Sequence, residues 1–446
     1  MKQLVLAATM LSALAVPSAA DARKRAPAPV PAPAPIRVVP SDPVEAYYFH
    51  RGDAPIWFRN ADSRAAAAKL PALLRRAHVE GLATGPQLAA QVEAATLRAA
   101  TSNAPADIRA AELLASNAWV AYVQLLKKAP AGMLFGYPQL APQGSRPDQI
   151  LLTAAAAPSL SQHLDRVATP NATYAQLRDA AWAGFQANPA SGVDGRLLAN
   201  LERARVLPSG GRYILVNAAN ARLTMFDNGQ PVDSMKVVVG KQESPTPMIA
   251  SMIFYTTFNP YWNVPGNLIL KNVGPKALKN GETYLKSQGF EVMSDWTENA
   301  TVVPASSVDW AAVASGAKQI RVRQLPGATN SMGRMKFNFR NSEDIYLHDT
   351  PQKEYFAKSV RTLSNGCIRL EDAKRLGRWL LQAEPVPPTP QPELHVKLPQ
   401  GVPVYVTYLT VQPEGGKLTY LTDHYGWDGR PDRQVAASTQ AVRPGL

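Results

Sequence analysis

Tyr213-Ile214-Leu215-Val216 and, after a turn, Leu223-Thr224-Met225-Phe226-Asp227-Asn228-Gly229 lead into Val237-Val238-Val239. In this stretch the apolar residues form short β-branched and aromatic runs bounded by turn residues, which predicts strands rather than helix. Asn228-Gly229 is a two-residue hairpin signal. Further strand-like runs follow at 252–258, 319–325, 335–340, 344–348, 403–410 and 418–422. Upstream the period is different. Ile108, Ala111, Ala115, Ala118, Trp119, Tyr122, Val123 and Leu126 fall mostly at three- and four-residue steps after Pro105, and alanine-rich stretches at 64–77 and 87–100 read as helix too. The fold class is therefore α+β, with a helical domain over 43–207 followed by a β-rich domain over 208–446. Between Asn259 and Gly333, Pro260-Tyr261-Trp262-Asn263-Val264-Pro265 and a helix-like segment near 271–286 read as an insertion within the sheet. In the helical half, Tyr47, Tyr48, Trp57 and Phe58 are aromatic enough for a ligand platform, but beside helices such residues read as core.

The chain has 446 residues, 46% apolar and 18% charged, which fits folded domains and excludes a short disordered peptide. Its formal charge of +13 suits an acidic partner. No nucleic-acid platform follows, because basic and aromatic residues do not interleave. One cysteine excludes an intramolecular disulfide and any cysteine-rich metal site, and six dispersed histidines show no zinc spacing, so no metal and no cofactor is expected. The apolar run Leu4 to Val16 before Pro17-Ser18-Ala19-Ala20-Asp21-Ala22 reads as a cleaved signal peptide over 1–22. Residues 23–42 read as a Pro/Ala-rich linker, and the expected location is the periplasm.

The chemistry concentrates in Tyr346-Leu347-His348-Asp349-Thr350 and, nineteen residues after His348, in Ser364-Asn365-Gly366-Cys367-Ile368-Arg369-Leu370. Strand alternation puts Ile345 and Leu347 on one face and Tyr346 with His348 on the other, towards a cleft. A thiol of pKa near 8.5 is only about 3% thiolate at neutral pH, so a nucleophilic Cys367 needs a base or a positive field. His348 can be the base, and the amphipathic stretch Glu371 to Leu381 can aim the positive end of a helix at the sulfur. Gly366 permits a sharp turn, and the amides of Gly366 and Cys367 can converge on an oxyanion. Arg369 can hold the loop or bind a carboxylate. Ser364 can stabilise the loop through its hydroxyl. A lone cysteine is otherwise a small inert hydrophobe and a lone strand histidine a packed core residue. The Gly-Cys turn, the following helix and the absence of a competing cysteine favour chemistry.

These residues resemble the catalytic signature of the L,D-transpeptidases, the YkuD family, over about Arg212 to Asp372. Asn259 to Pro265, Gln324-Leu325-Pro326-Gly327 and Asn330-Ser331-Met332-Gly333-Arg334 are similar to the large periplasmic members with an N-terminal helical scaffold. The resemblance implies a β-sandwich-like catalytic assembly with a capping subdomain at about 260–333. It also implies a peptidoglycan-binding module, of which only Gly184-Phe185-Gln186, Val193-Asp194-Gly195 and a helix over Arg196 to Arg205 resemble the edge, so that module reads as reduced or missing. The implied reaction is cysteine acyl transfer in cell wall biogenesis. Cys367 attacks a tetrapeptide donor, D-alanine leaves, and the diamino-acid amine of another peptidoglycan stem closes a 3→3 cross-link. His348 is the implied base, oriented by the main-chain carbonyl of Asp349, and inhibition by carbapenems is expected. Tyr346 and Trp262 join Ser364, Asn365 and Arg369 as candidate substrate contacts. Asn365 stands where the family usually has histidine, and it cannot titrate. Water as acceptor would make the protein an L,D-carboxypeptidase or endopeptidase, and a decayed cleft would leave a non-catalytic peptidoglycan-binding scaffold.

Overall fold

The computed structural model describes residues 38–414 and 417–428. The chain divides after Pro40, and of the first unit only residues 38–40 are described, without helix or strand. The expected signal peptide, and the linker before residue 38, lie outside the described residues. The second unit begins with a helix over Pro43–His50, started by the Asp42 carboxylate, which accepts from the amides of Val44 and Glu45. Longer helices follow at Ala61–Ala77, Gly85–Ser102 and Pro105–Leu126. Asn60 and Ser63 form a reciprocal capping box at the first of these, and Pro105 opens the last. Ala66, Ala67, Ala111, Ala115 and Ala118 are buried, so small side chains let the helices approach closely. Tyr48 and Trp57 are core, not a platform. The Tyr48 hydroxyl donates to Glu112 at 2.6 Å and the Trp57 indole N–H donates to Ser116 at 2.9 Å. Tyr47 is buried beside them and Phe58 packs against the same core. None of the described helices is long and apolar enough to cross a membrane.

The β-rich half forms a mixed sheet whose ladder returns on itself. Strand Leu394–Thr407 pairs on one side with Tyr213–Asn217 and on the other with Ile249–Phe258, closing a ring that also runs through Met335–Phe339, Tyr346–His348, Ile368–Leu370, Gln230–Gly240 and Arg222–Asp227. At the Asn228-Gly229 turn both residues have positive φ, +50° and +74°, as a two-residue hairpin matching the strand twist requires. Val216, Leu223, Val237, Ile253, Phe337, Leu347, Ile368 and Val404 fill the interior, together with Leu376 and Leu380 of the helix Ala373–Leu381.

Residues 262–324 leave the ring to build a four-stranded sheet of their own, with Val264, Ile269, Leu285, Val292, Trp310 and Val322 as its core. The helix-like segment near 271–286 is helical over Gly274–Gln288 but kinked into two at Gly281, whose φ is +57°, and it is entered through a π turn at Ile269–Val273. Asn330, fully buried, bolts this sheet to its base. Its amide nitrogen donates to the carbonyls of Pro260 at 3.0 Å and Leu325 at 2.9 Å, while Gln324 donates to those of Gln288 at 2.8 Å and Thr329 at 3.0 Å.

Candidate active site

Register decides which side chains share a face. On neighbouring strands Lys336 pairs with His348, His348 with Arg369, and Leu347 with Ile368. Leu347 and Ile368 are fully buried in the interior, so Lys336, Tyr346, His348 and Arg369 stand on the opposite face, while Cys367, just before its strand, packs in part against the interior. Cys367 immediately precedes the strand Ile368–Leu370, whose Arg369 pairs with His348. The Tyr346 and His348 rings meet edge to face at 5.8 Å, and the Lys336 ammonium lies 4.4 Å from the centre of the Tyr346 ring. Lys336 is a site residue that the motif reading missed. The signal was the alternation of Met335, Phe337 and Phe339 inward, which sends Lys336 and Asn338 to the other face.

His348 is only 2% exposed, and its Nδ1 lies 2.5 Å from the carbonyl oxygen of Asp349. A carbonyl only accepts, so Nδ1 carries the proton and Nε2 is left with a lone pair. Burial, reinforced by Arg369 and Lys336 and opposed by Asp349, pushes the imidazole down to about 3. The Asp349 carboxylate takes no part in orienting the ring. It accepts from the Arg334 amide at 3.0 Å and from Lys353 at 2.8 Å. Gly333, with φ +62°, leaves room for it, since a Cβ there would come within 2.4 Å of the carboxylate.

Cys367 is half-buried, with its sulfur 3.7 Å from the Asp344 carbonyl oxygen. Burial pushes its thiol up, against the opposing pull of hydrogen bonds from Tyr346 and of the Lys336 and Arg369 charges. This corrects the expectation of a thiol depressed by a helix terminus. The strand Ile368–Leu370 intervenes, and the helix that follows is capped by Asp372, which accepts from the Arg375 amide at 2.9 Å. Both shifts favour the uncharged forms, a thiol on Cys367 and a neutral imidazole on His348.

The nucleophile loop is closed by its own hydrogen bonds. The Ser364 hydroxyl donates to the Cys367 carbonyl at 2.6 Å and accepts from the Gly366 amide at 3.2 Å. Two expectations change accordingly. The buried Ser364 is a loop brace rather than a free substrate contact, and the Gly366 amide is already committed and not free for an oxyanion. Gly366 instead serves the backbone. Its φ is +115°, and a Cβ would meet Ile345 at 3.1 Å. Asn365 is exposed at the loop tip. Arg369 donates to Gln352 at 3.3 Å and lies over the Tyr355 ring at 5.4 Å. Trp262 is placed elsewhere, half-buried in the inserted sheet with its ring 6.4 Å from that of Phe290.

With this geometry in hand, residues 211–405 match the L,D-transpeptidase catalytic domain named YkuD, and residues 42–180 match a Scaffold domain. The chain thus carries a YkuD L,D-transpeptidase catalytic domain, β-rich, behind a helical Scaffold domain. Over 390 residues it is 27% identical to a Haemophilus influenzae protein provisionally named an L,D-transpeptidase, covering 85% of this chain and 77% of that one. Among solved structures it is similar to an L,D-transpeptidase from Mycobacterium smegmatis (12% identity, 45% of this chain and 59% of that chain, TM-score 0.23). It is also similar to a cysteine-to-serine mutant of the Enterococcus faecium L,D-transpeptidase (10% identity, 44% and 49%, TM-score 0.21). The chain spans under two thirds of either structure, and at these scores the superpositions carry no argument.

Proposed function

We propose that the protein is a periplasmic cysteine acyltransferase that forms 3→3 cross-links between peptidoglycan stem peptides. Cys367 Sγ attacks the carbonyl that precedes the terminal D-alanine of a tetrapeptide donor, while His348 Nε2 takes the thiol proton. The same nitrogen returns that proton to the departing amine as the C–N bond breaks, leaving a thioester on Cys367. A diamino-acid amine of a second stem then attacks the thioester and gives its proton to His348, and the thiol is restored as the cross-link forms. The observation that supports this most directly is the imidazole held through Nδ1 by the Asp349 carbonyl, which leaves its basic nitrogen a lone pair on a strand paired with the one that follows Cys367.

Lys336 and Arg369 give that face a recognition chemistry. Stem peptides carry carboxylates, and the two cations both suit a carboxylate and disfavour imidazolium on His348. A donor carboxylate seated between them offsets their charge, so proton acceptance by His348 becomes easier when substrate is bound. The neutral resting thiol is then activated in the complex rather than in the free protein. A carbapenem, whose strained amide offers the same kind of carbonyl, tests the acylation half. Imipenem is expected to add one covalent mass to the wild-type chain and none to Cys367→Ala. An unmodified wild type would remove the nucleophile assignment.

A further inference from the structure

The carbonyl of Gly366, one residue before the nucleophile, accepts a 2.6 Å hydrogen bond from the hydroxyl of Thr246. That hydroxyl also accepts from the Gly240 amide at 2.8 Å, and the Lys241 amide donates to the Ser364 carbonyl at 3.0 Å, so the 240–246 loop backs the nucleophile loop from two sides. The loop folds so tightly that a Cβ on Gly240 would lie 2.2 Å from the Ser244 carbonyl oxygen. Behind it stands Tyr425, whose hydroxyl donates to the Gly240 carbonyl at 2.6 Å and accepts from the Thr246 amide at 3.3 Å. Thr246 and Tyr425 are both buried.

Tyr425 belongs to a C-terminal segment that is itself anchored on the helical half. Its ring stacks on Tyr408 at 4.8 Å and packs against Trp427 at 4.9 Å. Arg203, 2% exposed on the helix Gly195–Ala204, reaches the carbonyls of Tyr408 and Trp427 and the carboxylate of Asp428, each at 2.8 Å. Arg196 of the same helix pairs with the other Asp428 oxygen at 3.0 Å. A continuous run of buried hydrogen bonds and ring contacts thus leads from the helical half to the residue before Cys367. None of these residues belongs to the signature that identifies the catalytic strands.

We propose that Thr246 and Tyr425 are positioning residues that fix the Gly366 carbonyl and so the place of Cys367, and that Arg203 holds them there from the helical half. The inference rests on Cys367 being the nucleophile, but its test does not. Cys367 is the sole cysteine, so iodoacetamide alkylation of the full chain, followed by intact mass across pH, reads its ionisation cleanly. The groups that act on the thiol, Tyr346, Lys336 and Arg369, are left intact in every variant, as is His348. Thr246→Val keeps the shape and removes the hydroxyl. With the loop released, water reaches the sulfur, and the alkylation midpoint is expected to fall by at least about half a pH unit towards the free-thiol value. Acylation by imipenem slows about tenfold because the sulfur is no longer aimed. Thr246→Ser restores both readouts, and Arg203→Lys, which loses the three-way fork, shifts the midpoint in the same direction. If Thr246→Val lowers the melting temperature too far to assay, Tyr425→Phe, which removes one oxygen, decides by the same two readouts. Midpoint and acylation rate both unchanged in a folded Thr246→Val or Tyr425→Phe protein overturn the proposal, and an unchanged midpoint in Arg203→Lys removes the helix from it. Failure of imipenem to label the wild type overturns the nucleophile assignment instead, and the alkylation midpoints still decide the positioning role.

Discussion

The Nδ1 atom of His348 lies 2.5 Å from the main-chain oxygen of Asp349, while the carboxylate of Asp349 is turned away to the Arg334 amide and Lys353. The backbone of one residue thus sets the tautomer of the base, and its side chain anchors that backbone. Gly333 makes the arrangement possible, because both its positive φ and the space a Cβ would take are needed.

Gly333→Ala is therefore expected to push the Asp349 carboxylate aside and turn the imidazole with it. The acylation rate with imipenem should fall about a hundredfold, as misplacement of a reacting group does. Stability should drop by about 1–3 kcal/mol from the strained backbone, read by urea denaturation. An alanine variant with wild-type rate would show that Asp349 does not position the ring.

The pH dependence of stability has a definite sign. In the folded protein His348 stays neutral down to about 3, whereas in the unfolded chain it protonates near 6.5. Above 6.5 both states are neutral and the full stability is present. As pH falls from 6.5 towards 3 only the unfolded state gains the proton, so stability is lost, at a limiting slope of about 1.4 kcal/mol per pH unit. His348→Gln should flatten this window in urea midpoints measured at pH 7, 5 and 4. Parallel curves for wild type and variant would contradict the buried neutral imidazole.

Much of this site was legible in the sequence because strands have a period of two. The alternation around Leu347 places His348 opposite the interior, and the Gly-Cys turn marks the proposed nucleophile without any structure. Burial was not legible. His348 lies on the predicted face yet is covered, and the same covering that sends its pKa down sends that of Cys367 up. The loop-stabilising hydroxyl of Ser364 and the turn at Gly366 were legible, but the bond between them was hidden, so the substrate contact read for Ser364 and the oxyanion amide read for Gly366 do not survive it. Lys336 could have been found by alternation. Thr246 and Tyr425 could not, since Thr246 meets Gly366 across 120 residues and Tyr425 meets Thr246 across 179, in parts of the chain with no motif.

Asn365 is exposed at the tip of the loop before Cys367, while the proposed base is the buried His348. Asn365→Ala should change stability by less than about 0.5 kcal/mol and the imipenem acylation rate by no more than about threefold. Loss of acylation in this variant, with its melting temperature unchanged, would move an essential function to that position.

Lys336→Met removes one of the two cations beside His348 while keeping the length of the side chain. The KM for a tetrapeptide donor should rise about tenfold from the lost carboxylate contact. The acid loss of stability should also begin at the same pH but level off at a higher one and be smaller overall, because one charge opposing imidazolium is gone. A variant that leaves both KM and the acid limb in place would separate Lys336 from the site.

The most direct test is the product profile of the purified full chain incubated with tetrapeptide muropeptides, compared with Cys367→Ala. We expect dimers carrying 3→3 links with release of D-alanine from the wild type, and neither product from the variant. Tripeptides accumulating without dimers, or dimers formed equally by Cys367→Ala, would contradict acyl transfer from Cys367 to an amine.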